Sequence, residues 1–106
     1  MAQPLEENTA VYMTNEIYAQ KFKALADPKR LELLNLIGQK DSVCVCDLVE
    51  EMAMPQSKLS YHLKILLNAG LLTKETRGTW SYYALKNEEM ERLLPEELYK
   101  SIRPPN

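Results

Sequence analysis

Two short helical patterns follow one another in the middle of the chain, separated only by a proline break. The first covers residues 46–52, and the dipeptide Met54-Pro55 ends it because a residue before proline avoids the helical conformation. The second covers residues 56–68 and is closed by Gly70. Two helices joined by so short a break predict a helix-turn-helix.

Two more helices are predicted on the N-terminal side of this pair. Residues 1–14 show no sustained periodicity and are expected to be flexible, so the first helix begins near Asn15. Asp27 and Pro28 signal the next helix, because aspartate caps free amides and proline suits the first helical position. Gly38 ends it as a left-handed cap. The residues predicted to be buried on this helix are Leu31, Leu34 and Ile37.

A hairpin and a last helix are predicted on the C-terminal side. Residues 71–76 and 79–85 have the pattern of two strands joined at Arg77-Gly78. An acidic helix capped by Asn87 follows, and Pro95 interrupts it.

Together these elements predict one domain over residues 15–102, followed by a flexible tail at 103–106. The expected fold is mainly α with a β-hairpin wing, a winged helix-turn-helix in the order α-α-α-α-β-β-α. No apolar run approaches the roughly 20 residues of a membrane-spanning helix and no signal-peptide pattern opens the chain, so we expect a cytoplasmic protein without a membrane partner. With one histidine and no glycine-rich phosphate loop, the chain offers no catalytic set, so neither an enzyme nor a catalytic cofactor is expected.

Charge is distributed unevenly along the chain. The whole sequence has a net charge of -2, yet residues 54–86 carry five basic groups against the single acidic Glu75, a balance of +4. Affinity for nucleic acid depends on local positive charge more than on the total. The excess coincides with the second helix of the predicted helix-turn-helix, which favours DNA as the partner over an ordinary solvated face.

The polar residues of that second helix fall opposite its leucines. Leu59, Leu63, Leu66 and Leu67 are predicted to face inward, so the other positions face out. Short polar side chains there can reach base edges, and lysines can reach phosphates. Arg77 is placed at the wing tip, where the alternative is a simple turn residue. The predicted DNA-binding residues are Gln56, Ser57, Lys58, Ser60, Tyr61, His62, Lys64 and Arg77.

His62 has an alternative role, because it lies beside Leu63 and Leu66. An isolated histidine in that position can pack half-buried with a hydrogen-bonded ring. Trp80, Tyr82 and Tyr83 are expected in the core and at an interface rather than as a stacking platform.

Both cysteines of the chain, Cys44 and Cys46, lie at the head of the helix-turn-helix. A bridge between them is disfavoured by the small ring, and Cys46 is predicted at the helix cap, where free amides favour a thiolate. Soft thiolates select soft cations and thiophilic metalloids. On a continuous helix, side chains two residues apart point roughly 200° away from each other. The two sulfurs can therefore bind one atom only if residues 44–46 are in an extended or turn conformation. The alternatives are an oxidation switch and a pair of small buried hydrophobic residues.

Dimerisation is predicted through both ends of the chain. A two-fold DNA reader needs paired helices about 34 Å apart. The first and last helices have apolar stripes that the small core does not need. The predicted dimer residues are Tyr18, Phe22, Leu25, Met90, Leu93, Leu94 and Leu98.

Four segments carry a resemblance to a known family. They are FKALADPKRL at residues 22–31, CVCDL at 44–48, QSKLSYHLK at 56–64 and GTWSYY at 78–83. In this order they resemble the opening, the arsenic-sensing motif, the recognition helix and the wing of the ArsR/SmtB metalloregulators, and within that family the arsenical-resistance repressors of Bacillus type. The resemblance implies a homodimer that binds operator DNA and leaves it when arsenite or antimonite binds as inducer.

The chain departs from one form of the family's arsenic motif. Val49 stands where some members carry a third cysteine, so a small thiol, a hydroxide or a carbon on the arsenic must complete the pyramid. The ligand is therefore open between inorganic arsenite, antimonite and a methylated arsenical. The transition-metal site that many members have on the last helix has no counterpart, because residues 87–106 lack histidine.

Overall fold

The computed structural model describes residues 5–104, with side chains described from residue 14 onward. In that range the chain forms six helices and three short strands. In chain order they are α1 (Leu5–Leu25), α2 (Pro28–Gly38), β1 (Val43–Cys44), α3 (Val45–Met52), α4 (Gln56–Asn68), β2 (Leu72–Arg77), β3 (Trp80–Leu85), α5 (Asn87–Leu93) and α6 (Glu96–Ile102).

Helix α1 begins at Leu5, so the predicted start near Asn15 is wrong. Residues 5–14 contain neither glycine nor proline, so no helix-breaking residue opposes a helix that begins before the first apolar stripe. Residues 1–4 and 105–106 lie outside the described residues. The flexibility of the segments 1–14 and 103–106 stays a prediction.

Helix α2 begins as predicted and ends differently. The Asp27 carboxylate accepts a hydrogen bond from the Arg30 amide at 3.0 Å, which confirms the cap. Leu34 and Ile37 are buried, but Leu31 is 37% exposed and Leu33 takes its place in the core. Gly38 is the last helical residue rather than a left-handed cap. It is small for another reason, since a Cβ there would overlap the Ile102 carbonyl of α6.

The helix-turn-helix is formed by α3 and α4. Ala53 adopts a left-handed conformation with φ 49°, and Pro55 caps α4, so the chain reverses between the helices within three residues, 53–55. The bounds of α4 agree with the prediction. Leu59, Leu63 and Leu66 are fully buried, while Leu67 is half-buried.

The wing is an antiparallel hairpin of β2 and β3. Its register pairs Leu72 with Leu85 and Arg77 with Trp80, so the turn is Gly78-Thr79 rather than Arg77-Gly78. Gly78 has a positive φ of 65°, which a tight hairpin turn requires. Strand β1, which the sequence patterns did not reveal, pairs with β3 and gives the sheet order β1-β3-β2.

The chain ends in two short helices that pack back onto the core. Pro95 separates α5 from α6, as predicted, and Lys86 rather than Asn87 precedes the first of them. The Asn87 side chain instead accepts a hydrogen bond from the Tyr99 hydroxyl at 3.0 Å, which ties the two helices together. The architecture is a winged helix-turn-helix, as predicted. None of the helices in residues 5–104 is long and apolar enough to cross a membrane.

Candidate nucleic-acid interface and thiol site

One face of α4 is polar and exposed. The leucines on the opposite face of α4 pack into the core at helical spacing. At the start of the helix, the Pro55 carbonyl accepts hydrogen bonds from the amides of Lys58 and Leu59. Tyr61 is 62% exposed, an unusual position for so large a ring. The predicted DNA-binding residues on this exposed face are Gln56, Ser57, Lys58, Ser60, Tyr61 and Lys64.

The positive excess of residues 54–86 is also exposed. Its basic side chains lie on α4, on the wing and just after β3, and none of them is buried. They are Lys58, Lys64, Lys74, Arg77 and Lys86. This arrangement suits a phosphate backbone that runs along the helix and the hairpin.

Arg77 is held in place rather than free at the wing tip. Its guanidinium pairs with the Glu75 carboxylate at 3.2 Å and lies 4.5 Å from the centre of the Tyr82 ring. The hydrogen bond and charge of Glu75 raise the pKa of Arg77 further. Opposite it, Trp80 is 53% exposed, so Trp80 is not part of the core of this chain, whereas Tyr83 is buried as predicted.

His62 departs from the predicted DNA-binding set. The residue is only 7% exposed, so its ring is not available to DNA. It has instead the alternative role, that of a packed ring with a hydrogen bond. Arg30 lies 3.2 Å from His62 Nδ1. A guanidinium can only donate, so Nδ1 accepts and the neutral ring carries its proton on Nε2.

The lowered pKa of His62 predicts that the stability of this fold depends on pH. Burial lowers the pKa of His62, Asp27 opposes this shift, and the charges of Arg30 and Lys58 lower it further. The folded state therefore binds its proton more weakly than the unfolded state, whose pKa is near 6.5. We expect the free energy of unfolding to fall as the pH drops from about 7.5 to about 5.5, because the unfolded chain takes up the proton first.

Urea denaturation at the two pH values measures this effect. The variant His62→Gln keeps an acceptor for Arg30 but does not titrate, so its stability should change less over the same interval. An equal loss of stability in both proteins would assign the pH dependence to other groups.

The thiol pair lies where β1 meets α3. Cys44 is extended and buried as the N-cap of α3, and Cys46 is exposed in the first turn. The cap is therefore Cys44, not Cys46 as predicted. The Cys44 sulfur accepts a hydrogen bond from the Cys46 amide at 3.3 Å.

The two sulfurs converge. They lie in contact, with the Cα atoms of Cys44 and Cys46 5.2 Å apart. That the small ring disfavours a bridge between them stays a prediction. An extended residue followed by a helical turn brings the side chains together, which a continuous helix would prevent. When reduced, the same two sulfurs can chelate one soft atom. Residues 14–104 hold no group of three or more histidine, cysteine and acidic side chains that could bind a metal ion.

The predicted dimer residues separate into two groups. Tyr18, Phe22 and Leu98 are exposed, at 37%, 54% and 44%, and Ile17 adds a further exposed side chain at 49%. The others pack in the core of this chain or against it, so less of their surface is available to a partner. These are Leu25, Met90 and Leu94, which are buried, and Leu93, which is half-buried.

Two basic side chains that the sequence patterns did not single out connect α4 to the rest of the fold. Arg30 donates to the Ala24 carbonyl at the end of α1 at 2.7 Å while it contacts His62. Lys21 donates to the Ala69 carbonyl just after α4 at 2.6 Å. The signal for Lys21 was its position, because it shares one helical face with Ala24 and Leu25, where a charge needs a partner.

A winged helix-turn-helix with an exposed, basic second helix is the architecture of a DNA-binding transcriptional regulator. A family model described as bacterial regulatory protein, arsR family, matches residues 27–74. The chain is 64% identical over 81 residues to the arsenical resistance operon repressor of Bacillus subtilis. The aligned residues make up 76% of this chain and 77% of that protein. The chain belongs to the arsR family, which confirms the resemblance found in the sequence.

Other relatives agree with this assignment. The arsenical resistance operon repressor of Escherichia coli is 41% identical over 66 residues, or 62% of this chain and 56% of that protein. Among solved structures, the homodimeric winged helix-turn-helix DNA-binding domain of a Mycobacterium bovis protein superposes with a TM-score of 0.73 and 29% identity, over 88% of this chain and 82% of that chain.

Proposed function

We propose that this protein is a metalloid-responsive repressor that binds operator DNA as a dimer and releases it when trivalent arsenic or antimony binds Cys44 and Cys46. The observation that carries the proposal is the convergence of both sulfurs at the start of α3, the helix that packs against α4. Its place of action is the cytoplasm, where operator DNA is available and thiols stay reduced.

DNA reading is assigned to α4 and the wing. The N-terminal part of α4 enters the major groove, where Gln56, Ser57, Ser60 and Tyr61 contact base edges or phosphates. Lys58, Lys64 and Arg77 contact the backbone. The exposure of all seven side chains supports this assignment.

The ligand is held by two soft donors from the protein. Trivalent arsenic takes three donors, so the third is a small thiol, a hydroxide or a carbon already on the arsenic. The absence of a third suitable side chain near the pair, among the residues whose side chains are described, supports an externally supplied donor.

Release follows from where the thiols lie. Cys44 belongs to β1, which pairs with Tyr82 of the wing strand, whereas Cys46 belongs to α3. An atom bonded to both sulfurs replaces the contact between the Cys44 sulfur and the Cys46 amide and shifts the start of α3. Because α3 packs on α4, the shift reaches the DNA-reading helix without a long relay.

The dimer is assigned to α1 and α6. Ile17, Tyr18 and Phe22 form an exposed apolar stripe on α1, and Leu98 adds an exposed apolar side chain on α6. Burying this stripe against a second copy removes apolar surface from water.

A binding experiment tests the proposal. Duplexes are selected from a random library by the reduced protein, and the best one is labelled for fluorescence anisotropy at fixed salt. We expect sodium arsenite or potassium antimonyl tartrate to release it, and phenylarsine oxide to act as well, since its carbon supplies the third donor. Failure to select any duplex would refute sequence-specific DNA binding. Continued binding in the presence of all three compounds would refute trivalent arsenic or antimony as the inducer.

A thiol-based redox repressor is the alternative, and the pairing of the two sulfurs favours it. Peroxide would then release the duplex by oxidising both thiols to the disulfide, while it is itself reduced to water. Release by peroxide but not by arsenite would select this alternative.

Substitutions on α4 test the reading face. Ser60→Ala or Tyr61→Ala should weaken binding to the selected duplex by about 1–3 kcal/mol, because a base contact is lost. Binding to random DNA should be unaffected. Lys64→Ala should weaken binding to all DNA and lower the salt slope by about one counterion. Lys40→Ala, an exposed lysine outside α4 and the wing, is the control. If Ser60→Ala, Tyr61→Ala and Lys64→Ala all bind as the parent does, α4 is not the reading helix.

A further inference from the structure

Lys21 lies on the inner face of α1 with 8% of its surface exposed. Its ammonium donates to the Ala69 carbonyl at 2.6 Å and pairs with the Glu89 carboxylate of α5 at 3.3 Å. The Glu89 side chain is itself only 15% exposed, and Arg92 approaches its other oxygen at 3.6 Å. One buried charge therefore joins α1, the end of α4 and α5.

The carbonyls at the end of α4 are the groups that Lys21 and its neighbour satisfy. The last carbonyls of a helix lack partners within the helix and carry its negative end, which favours a cation. Besides Lys21, Gln20 donates from its side chain to the Asn68 carbonyl at 3.3 Å. Two adjacent residues of α1 thus cap the reading helix from outside.

Gly70 leaves the room that this contact needs. It has a positive φ of 75°, and a Cβ at this position would lie 3.0 Å from the Lys21 ammonium. A side chain there would be strained by the backbone conformation and would press on the ammonium. The turn after α4 is therefore shaped around Lys21.

A buried ammonium is a costly way to join two helices, because it loses its water. Apolar contacts between α1 and α4 would stabilise the fold without that cost, but they are not directional. Hydrogen bonds from Lys21 and Gln20 to defined carbonyls hold α4 at one position along α1.

We propose that Lys21 is a positioning residue that fixes the reading helix relative to α1 and thereby sets the distance between the two reading helices of the dimer. This rests on the proposed function, in which the stripe of Ile17, Tyr18 and Phe22 on α1 forms the dimer. The consequence is specific: Lys21 determines how strictly the protein discriminates between operators by the spacing of their half-sites.

The test compares the selected duplex with a second duplex that has one base pair inserted between the half-sites. The reduced wild-type protein and Lys21→Met are titrated with both at fixed salt, with Lys23→Met as the matched control, an exposed lysine on the same helix. We expect Lys21→Met to lower the ratio of the two affinities about tenfold, within the range by which residues outside a contact surface alter coupling. Random-sequence DNA and the dimer in sedimentation should be unaffected, and Lys23→Met should keep the ratio.

The outcomes separate this inference from the proposed function. If the wild-type protein selects no duplex, the proposed function fails. If it does, and Lys21→Met discriminates as strictly as the wild type, or Lys23→Met loses as much discrimination, the inference fails. Should Lys21→Met not fold because Glu89 stays buried and charged, the double variant Lys21→Met, Glu89→Gln removes both charges and is judged by the same ratio.

Discussion

Replacing either cysteine with serine should leave DNA binding intact and abolish release by arsenite. Serine is a favoured N-cap, so Cys44→Ser keeps the start of α3, and Cys46 is exposed and tolerates the change. A hydroxyl is a hard donor and does not replace a thiolate on arsenic. We expect the arsenite concentration for half release to rise more than about a hundredfold. Loss of a group that supports a ligand typically lowers metal affinity about 10–100-fold, and loss of the ligand itself should lower it more.

Anisotropy of the labelled duplex with increasing arsenite measures this shift. Ser42→Ala, close to the pair but without a thiol, should respond as the wild type does. A full arsenite response in either cysteine variant would show that the inducer binds elsewhere. Loss of DNA binding before any arsenite is added would instead give the thiols a structural role.

Placing a charge in the apolar stripe of α1 should separate the dimer. Phe22 is 54% exposed, so Phe22→Asp leaves the core of the chain intact while it opposes burial against a second copy. The monomer should bind the selected duplex about a hundredfold more weakly or worse, because two linked half-site contacts are worth about 10²–10⁴ in avidity. Sedimentation at micromolar concentration and anisotropy at fixed salt measure the two effects.

Gln39→Asp is the control, since it adds the same charge at an exposed position at the end of α2. If Phe22→Asp sediments as a dimer, the interface lies away from this stripe. Leu94 is unsuited to the same test, although the sequence pattern predicted it in the interface. It is 9% exposed within a single chain, so a charge there would disturb the fold itself.

The best-predicted element is α4, and the reason is local. A proline precedes it, a glycine with positive φ follows it, and leucines recur between them at helical spacing. Each of these signals acts over a few residues, so no distant contact is needed to place the helix. The start of α1 was predicted less well, because a segment without breakers can be helical without an apolar stripe.

The candidate site was predicted in part. Helical spacing is enough to say that the polar positions of α4 face away from its leucines, and the structure exposes them. His62 lies at the edge of the apolar face, and only the structure, in which the residue is 7% exposed and contacts Arg30 from a distant part of the sequence, shows that the ring belongs to the interior. The convergence of Cys44 and Cys46 depended in the same way on where the helix begins, which pairing of β1 with β3 helps to define.

By itself the sequence determined the order of the elements around the helix-turn-helix, the location of the thiol pair and of the positive charge, and membership of the family through four ordered motifs. Only the tertiary structure decided which apolar stripes are already covered within one chain, so that Leu25 and Leu94 are core while Phe22 stays exposed. It also revealed the charged connection of Lys21 to Ala69 and Glu89. The physical reason is that helical periodicity records which residues share a face, whereas burial depends on what packs against that face from elsewhere in the chain.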